Sequence, residues 1–354
     1  MAVTGTPTTA GPTTASPTGA TAPEAPARAE LEAALERHRR ELTGYCYRML
    51  GSPFEAEDAV QDTMVRAWRA ADRFEGRSSV RTWLYRIATN VCLDHLDGRK
   101  RRARPMDVAE SRVVEDGIGS PRPESDWVLP APDGWAAPTG ADPADRAVAH
   151  ESITLAFVAA LAHLPPRQRA VLILREVLRW HADEVAALLD TTVASVNSAL
   201  QRARATLDAR GLDAEGAPAG TGPAGAGAID EAGRDLVARY VDAFERYDLE
   251  ALTALLHEDA TLSMPPYELW LPNAAEVVRW LDGPGRGCAG SRLVPVAASG
   301  SPAFGQYRPA ASGPGHEPFS LQVIETAGDR VTAINAFLDT DALFPLFGLP
   351  PRLD

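Results

Sequence analysis

The sequence predicts a multidomain protein in which two all-α domains, a helical bundle and a helix-turn-helix, precede a C-terminal α+β domain. A chain of 354 residues is longer than one compact core normally holds. Apolar residues recur every three to four positions in two blocks, which indicates amphipathic helices, whereas alternating stretches after Ile229 indicate strands. The predicted segments are a disordered tail at 1–28, a helical domain at 29–104, an acidic linker at 105–146, a helix-turn-helix domain at 147–210, a flexible linker at 211–228 and the α+β domain at 229–354.

The composition argues against a membrane-spanning, secreted or metal-binding protein. The chain has no run of eighteen apolar residues, and no basic region followed by an apolar core opens it, so we expect a cytoplasmic protein without membrane-spanning helices. The cysteines have no His or Cys neighbour at metal-ligand spacing, so we predict no metal site and no cofactor. Cys46 and Cys92 fall in apolar-periodic helices, which favours buried packing over a redox role.

The net charge of −13 is unevenly distributed along the chain. Residues 66–104 contain eleven Arg or Lys against four Asp or Glu, whereas residues 212–354 contain nine against twenty. The distribution of charge matters more than its sum for contact with nucleic acid. The basic segment therefore favours DNA contact in the first helical domain.

The pattern over 29–104 predicts a bundle of about four helices. One of these helices has an acidic edge. The helix predicted at 55–68 places Asp58, Gln61 and Asp62 on one side and apolar residues, including Trp68, on another. An acidic helix edge requires either a basic partner or solvent.

A second motif in this domain combines arginines with aromatic residues. They alternate after a polar loop in the segment 74–90, a pattern used to stack and flip single-stranded bases. Packing inside a helical core would explain Trp83 and Tyr85 equally well.

The second helical domain contains helix-turn-helix spacing, with helices predicted at 181–189 and 193–207 around a turn at 190–192. Asn and Gln can pair with adenine, and Arg can pair with guanine or phosphate, so the polar face of the second helix suits a major groove. The same face could be the solvated side of an ordinary surface helix. Arginines in the preceding helix favour DNA, because phosphate contacts need flanking positive charge.

Four strings in order give the chain its closest resemblance to a known family. They are AEDAVQD at 56–62, RTWLYRIATN at 81–90, LPPRQR at 164–169 and the helix at 195–204. Over about 35–104 and 150–210 the chain resembles bacterial RNA polymerase sigma factors of the extracytoplasmic-function (ECF) class. The resemblance implies core RNA polymerase and promoter DNA as partners, and a linker that threads toward the polymerase active-site cleft.

The resemblance also implies a role for each candidate residue. It implies that Asp58, Gln61, Asp62 and Arg66 bind the coiled-coil clamp of the polymerase largest subunit. Opening of the −10 element falls to Phe74, Arg77, Ser78, Ser79, Arg81, Trp83, Tyr85, Arg86 and Asn90. Reading of the −35 element falls to Arg169, Arg175, Ser195, Asn197, Ser198, Gln201, Arg202 and Arg204. The family commonly has Lys and Arg where this chain has Asn197 and Ala199, which weakens phosphate contact there.

The C-terminal domain opens with a string that resembles the SnoaL-like group of the nuclear transport factor two-like fold, a curved sheet closed by helices into a cone. Helices are predicted at 236–244, 249–256 and 274–281, and strands at 260–264, 319–325 and 330–338, with no clear pattern over 286–316. A possible ligand pocket in the cone would be lined by His257, Asp259, Tyr267, Trp270 and Trp280.

Three roles for this domain follow from the pattern: catalysis by an acid or base in the cone, a ligand-sensing cavity, or a structural brace. In the structural alternative, His257 and Asp259 lie at a helix end and the tryptophans fill the cone. We assign no catalytic residue and expect no enzyme activity. Because the domain is acidic, we expect it to contact the two helical domains within the same chain and to modulate their activity.

The sequence therefore predicts a sigma factor that recognises −35 and −10 elements and initiates transcription. Two other functions stay open: a free-standing repressor with an effector domain, and a SnoaL-type isomerase or cyclase. The acidic helix at 58–62 argues against a repressor, which has no use for a polymerase-binding surface.

Overall fold

Three long helices form the first helical domain in the computed structural model, which describes residues 1–2, 28–74, 76, 78–135, 150–209 and 231–354. They are α1 (Arg28–Leu50), α2 (Pro53–Ala70) and α3 (Val80–Leu96). Helices α2 and α3 begin after Ser52 and Ser79, whose hydroxyls accept hydrogen bonds from the first-turn N–H groups. The sequence predicted about four helices over 29–104, and this is wrong for the described residues, which form three long helices. The chain leaves the third helix at Leu96, and Gly98 follows with a φ of +68°.

The linker after the first domain is packed against its neighbours as far as Trp135. It contains the short helix α4 (Pro105–Val108) and then three single turns of 3₁₀-helix. Trp127 is buried, the N–H of Val128 donates to the carbonyl of Ala103, and the N–H of Leu129 donates to the carbonyl of Gly51. This part of the linker thus runs along the first helical domain. The predicted 1–28 tail lies almost wholly outside the described residues, and so do 136–149 and 210–230.

From Leu155 to its last described residue, the second helical domain contains four α-helices. They are α5 (Leu155–Ala162), α6 (Pro166–Leu172), α7 (Ala182–Leu188) and α8 (Val193–Asp208). A π-helical turn over Ile173–Val177 continues α6. Thr192 accepts a hydrogen bond from the N–H of Ser195 and so starts α8. Helices α7 and α8 are the predicted helix-turn-helix.

The C-terminal domain folds around one six-stranded sheet. Its helices are α9 (Glu231–Arg246), α10 (Leu249–Leu255), α11 (Ala274–Asp282) and α12 (Thr340–Leu346). Its strands are β1 (Leu256–Ser263), β2 (Trp270–Leu271), β3 (Arg292–Ala298), β4 (Ser301–Pro309), β5 (His316–Ala327) and β6 (Arg330–Phe337). They lie in the order β2-β1-β6-β5-β4-β3, with β1 parallel to β6 and all other pairs antiparallel.

Two apolar clusters show where the domains meet. One fills the cone and contains Tyr240, Trp280 and Ile334. The other runs through both helical domains and continues onto the sheet at Ala298 and Val323. One face of the sheet is therefore part of the same buried core as the helices. Among the described residues, no helix combines the length and the apolar character needed to span a membrane.

Candidate functional site

Helix α2 presents acidic residues and, further along the helix, exposed apolar residues. Asp58, Gln61 and Asp62 are exposed, and Arg66 lies beside them with its Nη1 atom 2.9 Å from the Oδ2 atom of Asp94. Two large apolar side chains on this helix are also exposed, namely Val65 at 46% and Trp68 at 48%. Exposed apolar area rimmed by polar groups is typical of a protein-binding surface.

The exposure of Val65 and Trp68 was not predicted from the sequence. The pattern placed Trp68 with the core residues, and that placement is wrong because Ala59, Thr63 and Ala67 face the core instead. Their spacing of four residues marks the buried stripe, and reading it would have identified Trp68 as a surface residue. We define the acidic–apolar surface as Asp58, Gln61, Asp62, Val65, Arg66 and Trp68.

The loop before α3 holds the first part of the predicted −10 set. Phe74 is buried and its ring lies 4.9 Å from the ring of Trp83. Ser78 and Ser79 are exposed, and Ser79 is also the N-cap of α3. Arg77 lies outside the described residues. The serines of this loop are therefore accessible, whereas Phe74 is packed against Trp83.

The next part of the −10 set lies against the second helical domain. The Tyr85 and Trp180 rings are 5.0 Å apart, and the Arg81 guanidinium lies 5.0 Å from the Trp180 ring centre. Arg86 donates a hydrogen bond to the carbonyl of Ala187 in α7. Asn90, one turn further along α3, is exposed. Burial raises the pKa of Tyr85, and in this arrangement its ring is closed to DNA.

The exposed face of α8 matches the predicted −35 set. Six of its polar side chains are exposed: Ser195, Asn197, Ser198, Gln201, Arg202 and Arg204. The Nη2 atom of Arg204 lies 2.8 Å from the Oε1 atom of Glu176. Val196, Leu200 and Ala203 form the opposite, buried face. The helix is thus free to present its polar side to a groove.

The structure does not place Arg169 and Arg175 on that surface. Arg169 is 5% exposed and donates to the carbonyls of Ala162, at 3.0 Å, and of Met49. Arg175 is half-buried and donates to the carbonyl of Trp180. The expectation that Arg169 contacts DNA is wrong for this arrangement, because its guanidinium joins α1 to the second helical domain.

The predicted pocket residues do not converge in the cone. The cavity has a volume of about 30 Å³, enough for one water molecule, and Trp280 is the one predicted residue that lines it. His257 and Asp259 are 45% and 82% exposed on β1, so their placement in a pocket is wrong. Tyr267 and Trp270 are half-buried outside the cavity. The irregular start of β1 explains the error, since the residues from His257 to Asp259 are all exposed and the register with β6 shifts between Leu256 and Thr261.

A network of buried polar groups reaches the cavity through Gln306 and Gln322. The hydroxyl of Tyr240 donates to the Oε1 atom of Gln322 at 2.9 Å, and the Nε2 atom of Gln322 donates to the Oε1 atom of Gln306 at 2.8 Å. Ser320 donates to the same oxygen, and Gln306 donates to the hydroxyl of Ser291. These groups satisfy one another, as buried polar groups in a stable core do.

The linker is fastened to the C-terminal domain along β2 and α11. The indole Nε1 atom of Trp270 donates to the carbonyl of Ala109 at 2.9 Å, and the N–H of Arg112 donates to the carbonyl of Trp270 at 3.0 Å. The Nη1 atom of Arg122 lies 2.7 Å from the Oε1 atom of Glu268. We call these contacts the linker clasp.

A second contact joins the linker, the first helical domain and the turn between β3 and β4. Ser299 and Ala131 exchange two hydrogen bonds, of 2.8 and 3.1 Å, and the hydroxyl of Tyr47 donates to the carbonyl of Leu129. The N–H of Gly300 donates to the Oδ1 atom of Asp133 at 2.7 Å. Burial raises the pKa of Asp133 although this hydrogen bond lowers it. We call this contact the turn seam.

Comparison with known proteins identifies the three folded parts. Sigma-70 region 2 matches residues 34–102, Sigma-70 region 4 matches residues 154–207, and the SnoaL-like domain matches residues 237–337. Two sigma-70 regions in this order define a class of transcription initiation factor, and here a SnoaL-like domain follows them.

Individual relatives place the chain within that class. It is 44% identical over 329 residues to the ECF RNA polymerase sigma factor SigG of Mycobacterium tuberculosis strain H37Rv, covering 92% of this chain and 85% of SigG. It is 32% identical over 154 residues to the ECF RNA polymerase sigma-E factor of Salmonella typhimurium strain LT2, covering 44% of this chain and 72% of that protein. The chain belongs to the ECF sigma factor family.

A solved structure shares the whole fold. The crystal structure of the ECF sigma factor SigJ of Mycobacterium tuberculosis superposes with a TM-score of 0.57 at 21% identity, covering 91% of this chain and 100% of that one. Sigma factors bind core RNA polymerase and promoter DNA, and the family is generally non-enzymatic. The resemblance to an ECF sigma factor and the fold of two helical domains with a SnoaL-like domain are thus confirmed.

Proposed function

We propose that this sigma factor binds core polymerase through the acidic–apolar surface of α2 and reads the −35 element with the exposed face of α8. The observation that carries the first assignment is the exposure of Val65 and Trp68 beside Asp58 and Asp62. A surface with apolar and acidic groups suits a partner that combines apolar and basic side chains. On this proposal, core binding and −10 contact belong to 29–104 and −35 contact to 147–210.

The −10 residues are only partly available in the arrangement seen here. Ser78, Ser79 and Asn90 are exposed, whereas Tyr85 packs on Trp180. The aromatic contact and the Arg81 cation–π contact each contribute about 1 kcal/mol. Contact with the −10 element through Tyr85 therefore requires α3 to separate from the second helical domain.

The C-terminal domain restrains this separation through the linker. The linker clasp and the turn seam fix residues that lie between the two helical domains in sequence. Because all parts belong to one chain, their effective concentrations are high and contacts of modest strength suffice. We propose that the domain 229–354 lowers the rate of initiation by holding the linker, and that release of the linker raises it.

The C-terminal domain acts as a brace and has no enzymatic role on this proposal. A cavity of about 30 Å³ has no room for an organic substrate, and its polar neighbours Gln306 and Gln322 are bonded to each other. His257 and Asp259, the candidate acid and base, face solvent. The chain works in the cytoplasm with RNA polymerase.

Charge reversal on α2 of the full-length chain tests the polymerase assignment. Asp62→Arg should lower the affinity for core polymerase at least tenfold, because a close repulsive charge at an interface costs more than 1 kcal/mol. Glu258→Arg makes the same charge change on exposed β1 and should leave the affinity unchanged. Equal affinities of the Asp62→Arg variant and the wild type would contradict the assignment. A chain that binds duplex DNA tightly without polymerase would favour a repressor.

A further inference from the structure

A cationic cleft lies where the two helical domains and the linker meet. It has a volume of about 470 Å³. The first helical domain supplies one wall, with Leu50, Glu55, Leu96 and the segment 99–102. The linker supplies Pro123, Ser125 and Asp126, and the second helical domain supplies Ala162 and Arg169. The cleft thus touches three parts of the chain: the first helical domain, the linker and the second helical domain.

Positive charge outnumbers negative charge on the walls of this cleft. The five cationic residues that line it are Arg99, Lys100, Arg101, Arg102 and Arg169, and the two carboxylates are Glu55 and Asp126. Glu55 already pairs with Arg99 and with Arg102. Asp126 pairs with Arg122, 2.8 Å away.

Three of the cations lack a carboxylate partner within the described ranges. Lys100 and Arg101 are exposed on the rim, and Arg169 is 5% exposed and bonded to backbone carbonyls. Burial lowers the pKa of Arg169 to about 10, and the positive charge of Arg101 is a smaller part of that shift. These three cations therefore line one cleft in which both carboxylates already pair with other arginines.

Apart from Ser125, the rest of the lining is apolar. Leu50 and Leu96 lie on one side, and Ala162 and Pro123 complete the wall. An inorganic phosphate ion would leave most of the 470 Å³ empty, whereas nucleotide-sized molecules fill sites of about 300–1,000 Å³. Guanidinium groups bind phosphate oxygens through paired hydrogen bonds, and leucine side chains can pack against a flat ring.

We propose that this cleft binds a small organic phosphate of nucleotide size, with its phosphates at Lys100 and Arg101 and its ring against Leu50 and Leu96. A ligand held there contacts α3, the linker and the second helical domain at once. It therefore stabilises the arrangement in which Tyr85 is covered by Trp180, and it gives the cell a means to slow opening of the two domains.

The direct test is calorimetric titration of the full-length protein with ATP as the probe, in the absence of polymerase and DNA. We expect saturable binding of one ATP per chain, weakened by added salt, and a melting temperature that rises with ATP concentration. Adenosine, which lacks phosphate, should bind at least tenfold more weakly. The double variant K100E/R101E should lower ATP affinity at least tenfold, and it should fold because both side chains are exposed.

A matched control uses R69E/R73E, which changes two exposed arginines outside the cleft by the same total charge. ATP affinity should be unchanged in this control. The proposal is wrong if ATP shows no saturable binding at millimolar concentration, if adenosine binds as well as ATP, or if both double variants lose affinity equally. It is also wrong if a short DNA duplex binds through Lys100 and Arg101 and ATP does not compete, because the cations then serve the DNA backbone.

Discussion

Loosening the linker clasp should speed hydrogen exchange in the linker. The double variant E268Q/W270F removes the ion pair with Arg122 and the indole hydrogen bond to Ala109. A half-exposed ion pair is worth about 0.2–1 kcal/mol, and a half-buried hydrogen bond about 0.5–1.5 kcal/mol. Together they shift the equilibrium between fastened and released linker by about 1–2 kcal/mol, or roughly 5- to 30-fold.

The assay is amide hydrogen exchange on the full-length protein, followed by mass spectrometry of peptides that cover 109–128. The N–H groups of Arg112, Val114 and Arg122 donate to the C-terminal domain and should exchange roughly 5- to 30-fold faster in the variant. The N–H of Val128, which donates to Ala103 of the first domain, is the internal reference and should keep its rate.

The variant Glu258→Gln serves as the matched control for the change of Glu268, because Glu258 is an exposed glutamate on β1. It should leave all linker rates unchanged. Unchanged exchange at 109–126 in E268Q/W270F, or equal acceleration across the whole chain, would refute the reasoning that these contacts fasten the linker.

Three further predictions concern stability. Ser299→Ala removes a buried hydrogen-bond acceptor from the turn seam and should lower the free energy of unfolding in urea by about 1–2 kcal/mol. Arg169→Met removes the donor to three backbone carbonyls, those of Met49, Ala162 and Leu164, and should cost about 1–3 kcal/mol in the same assay. By contrast, Arg202→Gln changes an exposed residue and should alter promoter binding without altering stability. The pKa of Asp133 is raised by burial above its ordinary value of 3.8, so its folded form binds a proton more tightly than its unfolded form. The contribution of Asp133 to stability is therefore lost as the pH rises through the raised pKa. The variant Asp133→Asn should make the melting temperature depend less on pH above 3.8. An unchanged slope of melting temperature against pH would count against this reasoning.

Local patterns predicted most of the helices and half of the strands. The two helices of the helix-turn-helix follow from apolar spacing and from Thr192 as an N-cap. Strands β3 and β4 were not predicted, because Pro295 and Gly305 interrupt the pattern and because both faces of β4 are largely buried. A strand buried on both faces lacks the alternation that reveals strands in a sequence.

The exposure of a candidate residue was predicted correctly where it depends only on the helix that contains the residue. It was predicted wrongly where another domain covers the residue. The six outward residues of α8 follow from helical periodicity alone. The burial of Arg169 and Tyr85 arises from contact with Met49 and Trp180, which lie about 90 to 120 residues away in the sequence. The sequence alone gives no sign that any residue of the −10 set is covered. The packing of α3 on the second helical domain shows which of these residues are buried.

Promoter-dependent transcription with purified core polymerase tests the central claim most directly, with the full-length chain compared with a chain that ends at Arg210. We predict that both versions initiate from the same promoter and that the shorter one gives more transcript, because the linker is then free of the C-terminal domain. Equal yields would contradict the proposed restraint. Failure of both versions to bind core polymerase or to initiate would contradict the assignment of the chain as an initiating sigma factor.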